Sequence, residues 1–372
     1  MPGIHARVHG NIKPNWLRTA LRTGEQFAFV ARVVDEHALN TICSSGRCPN
    51  KAECWSNRTA TLMIMGDVCT RFCRFCATAS GKPLPLRADE PQRVADSISM
   101  MGLRHAVVTS VTRDDLPDCG AAHWARTVEV IRRANPRTTI EVLIPDMGGE
   151  ARHIRTIVDS RPDILGHNVE CVERLTARVR SGAAYATSLR TLAHAAACAG
   201  AEGLTGAQSV PARVAAVASV ENGTASACEP SEASSPTEAG SSRTARCRSA
   251  EGGNSAQAVR PGREDRSPQL AKPKTAAGVV TKSGLMVGLG EKPAEVIRTM
   301  RDLREAGVSI VTIGQYLQPS PRHMAVAEYV APQQFDDYRA AALEMGFRYV
   351  ASAPLVRSSY MAHRAAEACN IT

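Results

Sequence analysis

The sequence predicts an α/β fold, arranged as a closed or partial β/α barrel or as an open doubly wound sheet. Strand-length apolar runs and helix-length segments alternate about six times along the 372 residues. The strand runs are apolar almost throughout, as parallel strands covered on both faces must be. Polar residues follow the runs in turn: Cys69, then Arg113 to Asp115, Asp146, Asn168 with Glu170, Gly290 with Glu291, and Gln315 with Gln318. In a barrel such positions lie at the carboxyl ends of strands, where function collects.

Residues 25–37 predict a first helix, because Phe27, Val30, Val33 and Val34 recur at helical spacing. It packs on the outside of the larger body. A loop follows, since Ser44, Ser45, Gly46, Pro49 and Asn50 are turn formers. The apolar stretch 60–66 is the first core strand and ends in Gly66 and Asp67. A helix at 90–101 has Pro91 in its first turn and Gly102 past its end. Next come a strand at 105–111, a polar loop at 113–118 and a helix at 121–134. A strand at 138–144 is closed by Pro145 and Asp146, and a helix follows near 150–158. The strand at 164–170 precedes a helical region and a helix at 185–199. The last units are a strand at 282–289, a helix at 293–306, a strand at 309–315, a helix from about 333 to 345 and an extended piece at 348–354.

Residues 200–280 break the alternation. They are rich in Ala, Ser, Gly, Glu and Arg and contain no aromatic residue. Such a stretch cannot bury enough apolar area to offset the entropy of ordering, so it reads as a disordered surface insertion. It sits on a helix-to-strand connection, which places it opposite the carboxyl ends of the strands. Cys228 and Cys247 within it read as bystanders.

A hydrophobic fraction of 44% suits a globular body, and no run of about 18 apolar residues marks a membrane span. The net charge of +9 permits an acidic partner. Basic runs with interleaved aromatics are missing and only 4% of residues are aromatic, so no nucleic-acid partner is expected. The first twelve residues carry no acid but are too short and weak for a targeting segment. Twelve cysteines in a long α/β chain without a signal peptide point to a reducing compartment. The expectation is cytoplasm, or the matrix of a mitochondrion or plastid if the source is eukaryotic.

Six of those cysteines fall between residues 43 and 76, as two triplets: Cys43, Cys48 and Cys54, then Cys69, Cys73 and Cys76. Each supplies three thiolates, one fewer than a closed zinc site or a four-iron cluster takes from protein. Three thiolates in a tight loop can hold three irons of a cubane and leave the fourth open for a small molecule. A zinc-stabilised binding module using both triplets is the reading from a different class.

The second triplet, CxxxCxxC with Phe75 before its last cysteine and a strand ahead of it, resembles the radical S-adenosylmethionine (SAM) superfamily. That resemblance implies a partial (β/α)6 TIM-like barrel. It also implies a 4Fe-4S cluster on Cys69, Cys73 and Cys76, with SAM on the open iron, cleaved to a radical that takes hydrogen from unactivated carbon. The first triplet, CxxxxCxxxxxC, together with Arg357, Ser358, Ser359 and Tyr360, is similar to the lipoyl synthase family. Further matching blocks are 47–50 with Cys54 and Trp55, Gly66 with Asp67, 108–118, 140–146, 167–170, 281–291 and 312–320. The expected layout is an amino-terminal extension (1–59) carrying an auxiliary cluster, a core (60–354) interrupted at 200–280, and a tail (355–372) with the serine motif.

The family resemblance implies that Ser359, with adjacent Ser358 as the competing choice, closes a second 4Fe-4S cluster on Cys43, Cys48 and Cys54. Two SAM would be consumed while two sulfur atoms enter C6 and C8 of an octanoyl chain on a carrier lysine, with the auxiliary cluster as sulfur source. Implied partners are octanoylated lipoyl carrier domains (2-oxoacid dehydrogenase E2 subunits and the glycine cleavage H protein), an electron donor such as ferredoxin or flavodoxin, and an iron–sulfur carrier protein. A biotin synthase-like or methylthiotransferase-like sulfur inserter is the alternative within the same chemistry. Expected SAM contacts are Thr109, Ser110 and Arg113 after the second strand, Asn168 and Glu170 after the fourth, and Gly288 and Gly290 after the fifth. A glycine-rich strand end is as often only tight packing. Three positions depart from the family pattern: Ser44 and Ser45 stand where acids are frequent, Cys119 where glycine is common, and Met361 where His or Arg is usual.

Overall fold

The structure is a computed structural model and describes residues 13–19, 24–200 and 278–371. The 201–277 stretch, with Cys228 and Cys247, lies outside the described residues, so the disorder expected for it is not addressed.

Helix α1 (Glu25–Glu36) leads into β1 (Asn40–Thr41), α2 (Ile42–Ser45) and α3 (Lys51–Ser56). The core then runs β2 (Thr61–Ile64), β3 (Val68–Cys69), β4 (Ala79–Ser80), α4 (Glu90–Met101), β5 (His105–Ser110), α5 (Ala121–Ala134), β6 (Thr139–Leu143), α6 (Ala151–Asp159), β7 (Ile164–Gly166), α7 (Glu173–Val179) and α8 (Tyr185–Gly200). It resumes with β8 (Val280–Val287), α9 (Pro293–Glu305), β9 (Ile310–Gln315), α10 (Pro332–Glu344), β10 (Tyr349–Ser352) and α11 (Ala362–Ala368).

Eight strands form one sheet in the order β1-β2-β5-β6-β7-β8-β9-β10. All neighbours are parallel except β1, which pairs antiparallel to β2 at one edge. The two edges do not pair with each other, so the barrel is partial. Core strands in chain order with helices between them follow from short right-handed crossovers. Residues facing outward, such as Val108, Ile140 and Ile313, are buried under the helices. Trp124 and Ile131 of α5 and Phe335 and Tyr338 of α10 complete that layer.

The expected strands and long helices lie within a few residues of their predicted bounds. The extended piece near 350 is β10, paired parallel to β9. Two features differ. The first cysteine triplet is not all loop: Cys43 sits on α2 and Cys54 on α3. Helices of four and six residues show no periodicity, so the turn formers around them dominate the sequence pattern. Helix α11, which follows the serine motif, has no counterpart among the expected elements, because Ala-rich segments this short carry no apolar stripe. It packs Ala365, Ala366 and Cys369 on Ile164, Val280 and Ile310, closing the amino-terminal end of the sheet's inner face.

Helix α1 braces the region of the first cysteine triplet. Val30, Val33 and Val34 are buried, and the Phe27 ring lies 5.3 Å from that of Trp55 on α3, which is 3% exposed. Truncating so buried an indole costs about 3–5 kcal/mol, and here the loss would fall on the helix that carries Cys54. The described ends of the insertion meet: a Cβ on Gly278 would collide with the Ala199 carbonyl. Gly200 and Gly278, the described residues that flank 201–277, therefore lie close together beside the start of β8. Among the described residues no helix is long and apolar enough to cross a membrane.

Candidate active site

The second cysteine triplet is pinned from several sides. β2 turns at Met65 (φ 66°) and Gly66 (φ 92°), conformations that only Gly adopts without strain. Glu90 accepts the Met65 N–H at 2.8 Å, and Arg113 donates to the Met65 carbonyl at 3.2 Å, so the turn is held by buried partners. Cys69 Sγ then accepts two backbone N–H groups, from Arg71 and Thr112, each at 3.4 Å. The loop continues with Arg74 N–H donating to the Val179 carbonyl and Met324 N–H donating to that of Arg74. His323 Nε2 lies 3.0 Å from the Cys76 carbonyl oxygen.

Arg71, between the cysteines, carries no distinguishing sequence signal. Its guanidinium reaches both oxygens of Asp114 and both of Asp146, at 2.5–2.9 Å. Asp146 is 1% exposed. Burial alone would raise its carboxyl, but the Arg71 hydrogen bonds hold it below the ordinary range. One fork thus ties the cysteine loop to the loops after β5 and β6, with the planar geometry only Arg supplies.

The first triplet is tied to the carboxyl-terminal segment. Asn50 Nδ2 donates to the Leu355 carbonyl at 2.7 Å, Arg47 to that of Pro319 at 3.1 Å, and Tyr360 Oη to Glu53 Oε1 at 3.1 Å. Ser359 Oγ accepts from Thr61 Oγ1 at 2.8 Å, while Ser358 Oγ accepts from Asn168 Nδ2 at 2.6 Å. All six cysteines and both serines line a single cavity of about 1990 Å³ that runs down the inner face of the sheet.

The expected SAM contacts divide. Thr109, Ser110, Asn168 and Glu170 line that cavity. Thr109 Oγ1 donates to the Leu143 carbonyl at 2.9 Å. Ser110 Oγ and Asn168 Oδ1 are buried without a partner, as groups awaiting a ligand are. Arg113 is not in the wall: it is 2% exposed and bidentate to Asp115 at 2.8 Å, so Asp115, two residues on, captures it. Gly288 and Gly290 are also outside the wall. A Cβ on Gly288 (φ 94°) would strike Gln315 and the Glu328 carbonyl, and its N–H bonds Glu291, so tight packing explains it. Gly290 gives its carbonyl to Arg174.

Burial disfavours the charged form of the thiols. Burial pushes the Cys54 thiol up to about 12 and Cys73 up to about 11, and raises Cys48 and Cys76. Arg357 opposes the rise at Cys48, and Arg180 that at Cys73. Both arginines line the cavity; Arg357 opens the serine motif noted in the sequence, whereas nothing in the sequence marks Arg180. Burial likewise raises Glu170, which holds a left-handed φ of 67°. Among the described residues no group of three or more His, Cys, Asp or Glu is set to hold a single metal ion. The thiols of a cubane each meet a different iron, and bound irons stabilise the thiolates that burial disfavours. The donor set, N–H groups aimed at sulfur and orphaned polar atoms fit a cluster with a polar ligand beside it.

A sequence profile of the Radical SAM superfamily matches residues 63–200. Lipoyl synthase of Phocaeicola vulgatus is 43% identical over 352 residues, covering 95% of this chain and 96% of the relative. That of Bacteroides thetaiotaomicron is 44% identical over 95% of this chain and 97% of the relative. That of Porphyromonas gingivalis is 42% identical over the same shares.

Proposed function

Since the chain belongs to the lipoyl synthase family and is an enzyme of the radical SAM type, we propose that it inserts two sulfur atoms, at C6 and C8 of a protein-bound octanoyl-lysine. The family brings a 4Fe-4S cluster and SAM, and Cys69, Cys73 and Cys76 are the residues that would hold that cluster. When bound, cluster and SAM supply a carbon-centred radical, the tool an inert alkyl C–H bond requires. The observation that carries the sulfur-inserting reading is the cavity shared by both cysteine triplets and Ser359. One triplet serves SAM, and the other would hold a second cluster close to the same substrate.

Cys43, Cys48, Cys54 and Ser359 would bind that second cluster, the sulfur source. A serine oxygen is a weaker partner for iron than a fourth thiolate, which suits a cluster that must come apart. Thr109, Ser110, Asn168, Glu170 and Arg180 would surround SAM, offering Asn168 Oδ1 and Glu170 to its donors and the Arg180 cation to its carboxylate. The sheet and α11 would enclose the reacting carbons and limit water, which would protect a radical. Octanoylated carrier domains would be the substrate, with the +9 charge aiding their docking.

The experiment is a comparison of Cys48→Ala and Ser359→Ala with the unaltered chain under anaerobic reducing conditions. Both variants should still cleave SAM to 5′-deoxyadenosine, and neither should accumulate lipoyl product. Full lipoyl formation by both would remove the auxiliary-site assignment.

A further inference from the structure

Asn168 stands where the two sites meet. Its side-chain amide donates one N–H to Glu170 Oε1 at 3.2 Å and the other to Ser358 Oγ at 2.6 Å, while Oδ1 is buried with no partner. Ser358 is the neighbour of Ser359, and the two serines face apart. Ser359 turns to Thr61 at the start of β2, and Ser358 turns to the end of β7. Holding Ser358 fixes the backbone that aims Ser359.

Gly284, in the middle of β8, makes room for this contact. A Cβ there would lie 2.5 Å from Thr312 Oγ1, 2.9 Å from Asn168 Oδ1 and 3.1 Å from Ser358 Oγ. Its backbone is ordinary strand, so no left-handed φ demands glycine. Glycine weakens a strand interior and marks close approach. What approaches is Thr312 of β9 together with the Asn168–Ser358 pair.

We propose that the Asn168–Ser358 hydrogen bond couples occupancy of the SAM site to the seat of the Ser359 oxygen, with Gly284 as the positioning residue that permits it. The inference rests on the two-cluster reading above. A ligand that donates to Asn168 Oδ1 polarises the amide and strengthens its N–H toward Ser358, the cooperativity of chained hydrogen bonds. SAM binding therefore steadies Ser359. By reciprocity, an intact auxiliary site tightens SAM by the same factor.

The test is a double-mutant cycle on SAM affinity, measured without reductant so that no turnover occurs. Cys48→Ala, which removes the auxiliary cluster, should weaken SAM binding roughly three- to tenfold, the factor carried by one net hydrogen bond. In a Ser358→Ala background the same substitution should leave SAM affinity unchanged, and Ser358→Thr should restore the coupling. Gly284→Ala keeps the serine hydroxyl and should abolish the coupling as Ser358→Ala does, which guards against a Ser358 variant that fails to fold. Equal weakening by Cys48→Ala with and without Ser358, or none in either, would overturn the proposal. Iron content separates the two levels: about eight irons per unaltered chain support the two-cluster reading, and about four overturn it.

Discussion

Thr61 gives its hydroxyl hydrogen to Ser359 Oγ at 2.8 Å, joining the first core strand to a residue 298 positions later. The contact separates the two adjacent serines. Ser359 faces β2, whose approach through Thr59 bonds the Cys54 carbonyl at 2.9 Å, and Tyr360 beside it bonds Glu53 on the same helix as Cys54. Ser358 is spent on Asn168. Ser359 is thus held on the strand that follows the Cys54 helix, and Ser358 on the loop after β7.

Arg71 should be required for cluster retention. Arg71→Lys keeps the charge but cannot reproduce two bidentate pairs. It should lower iron on the second triplet and SAM cleavage together, while the fold persists. Arg71→Ala leaves Asp146 buried without its cation, a loss of about 3–5 kcal/mol. Chemical denaturation and iron content measure both, and full iron in the Arg71→Lys variant would refute the pinning role.

Glu141, Lys282 and His105 form a buried group on the inner face, with Lys282 Nζ 2.6 Å and His105 Nε2 3.2 Å from the Glu141 carboxylate. Burial alone would raise Glu141, but the Lys282 cation and then His105 hold it below its ordinary value. A depressed carboxyl contributes stability above its unfolded value, about 4.3, and that contribution is lost as pH falls through the folded value. Lys282→Met takes away the cation and leaves the buried carboxylate with His105 as its remaining partner. The variant should lose about 3–5 kcal/mol at neutral pH and regain part of it between pH 7 and 5, as a raised carboxyl protonates. A variant that only loses stability on acidification would contradict this.

Much of this arrangement is legible in sequence. Helix α4 spans Glu90–Met101 as expected, because Pro91 opens it and Gly102 ends it with φ 64°. Long apolar strands and helices write their period into the chain. What stays hidden depends on distant partners. Arg113 and Arg71 both sit near the mouth as arginines. Only the fold shows that Asp115 turns one away while Asp114 and Asp146 draw the other across the loops. Gly288 and Gly284 are alike in sequence, yet one is a packing glycine of a turn and the other clears space in the cavity.

Cys119 adopts φ 51°, in the left-handed region that favours glycine. Cys119→Gly should relieve that strain and raise stability by up to about 1 kcal/mol. Thermal unfolding with unchanged SAM cleavage would show it. A lower Tm would mean that the Cys119 side chain contributes more packing than its backbone costs.

Replacing residues 201–277 by a short Gly/Ser linker should preserve folding, iron content and turnover. The flanking Ala199 and Gly278 already meet, and the junction lies by the start of β8, away from the two cysteine triplets. Lost turnover with iron and fold retained would assign the insertion a catalytic part.

The most direct measurement is the mass of an octanoyl-lysine carrier peptide after anaerobic incubation with the reconstituted chain, SAM and reductant. The peptide should gain two sulfur atoms, and the gain should vanish when any of Cys43, Cys48, Cys54, Cys69, Cys73 or Cys76 is replaced by Ala. SAM cleavage with about eight irons per chain and an unmodified peptide would contradict the sulfur-inserting function.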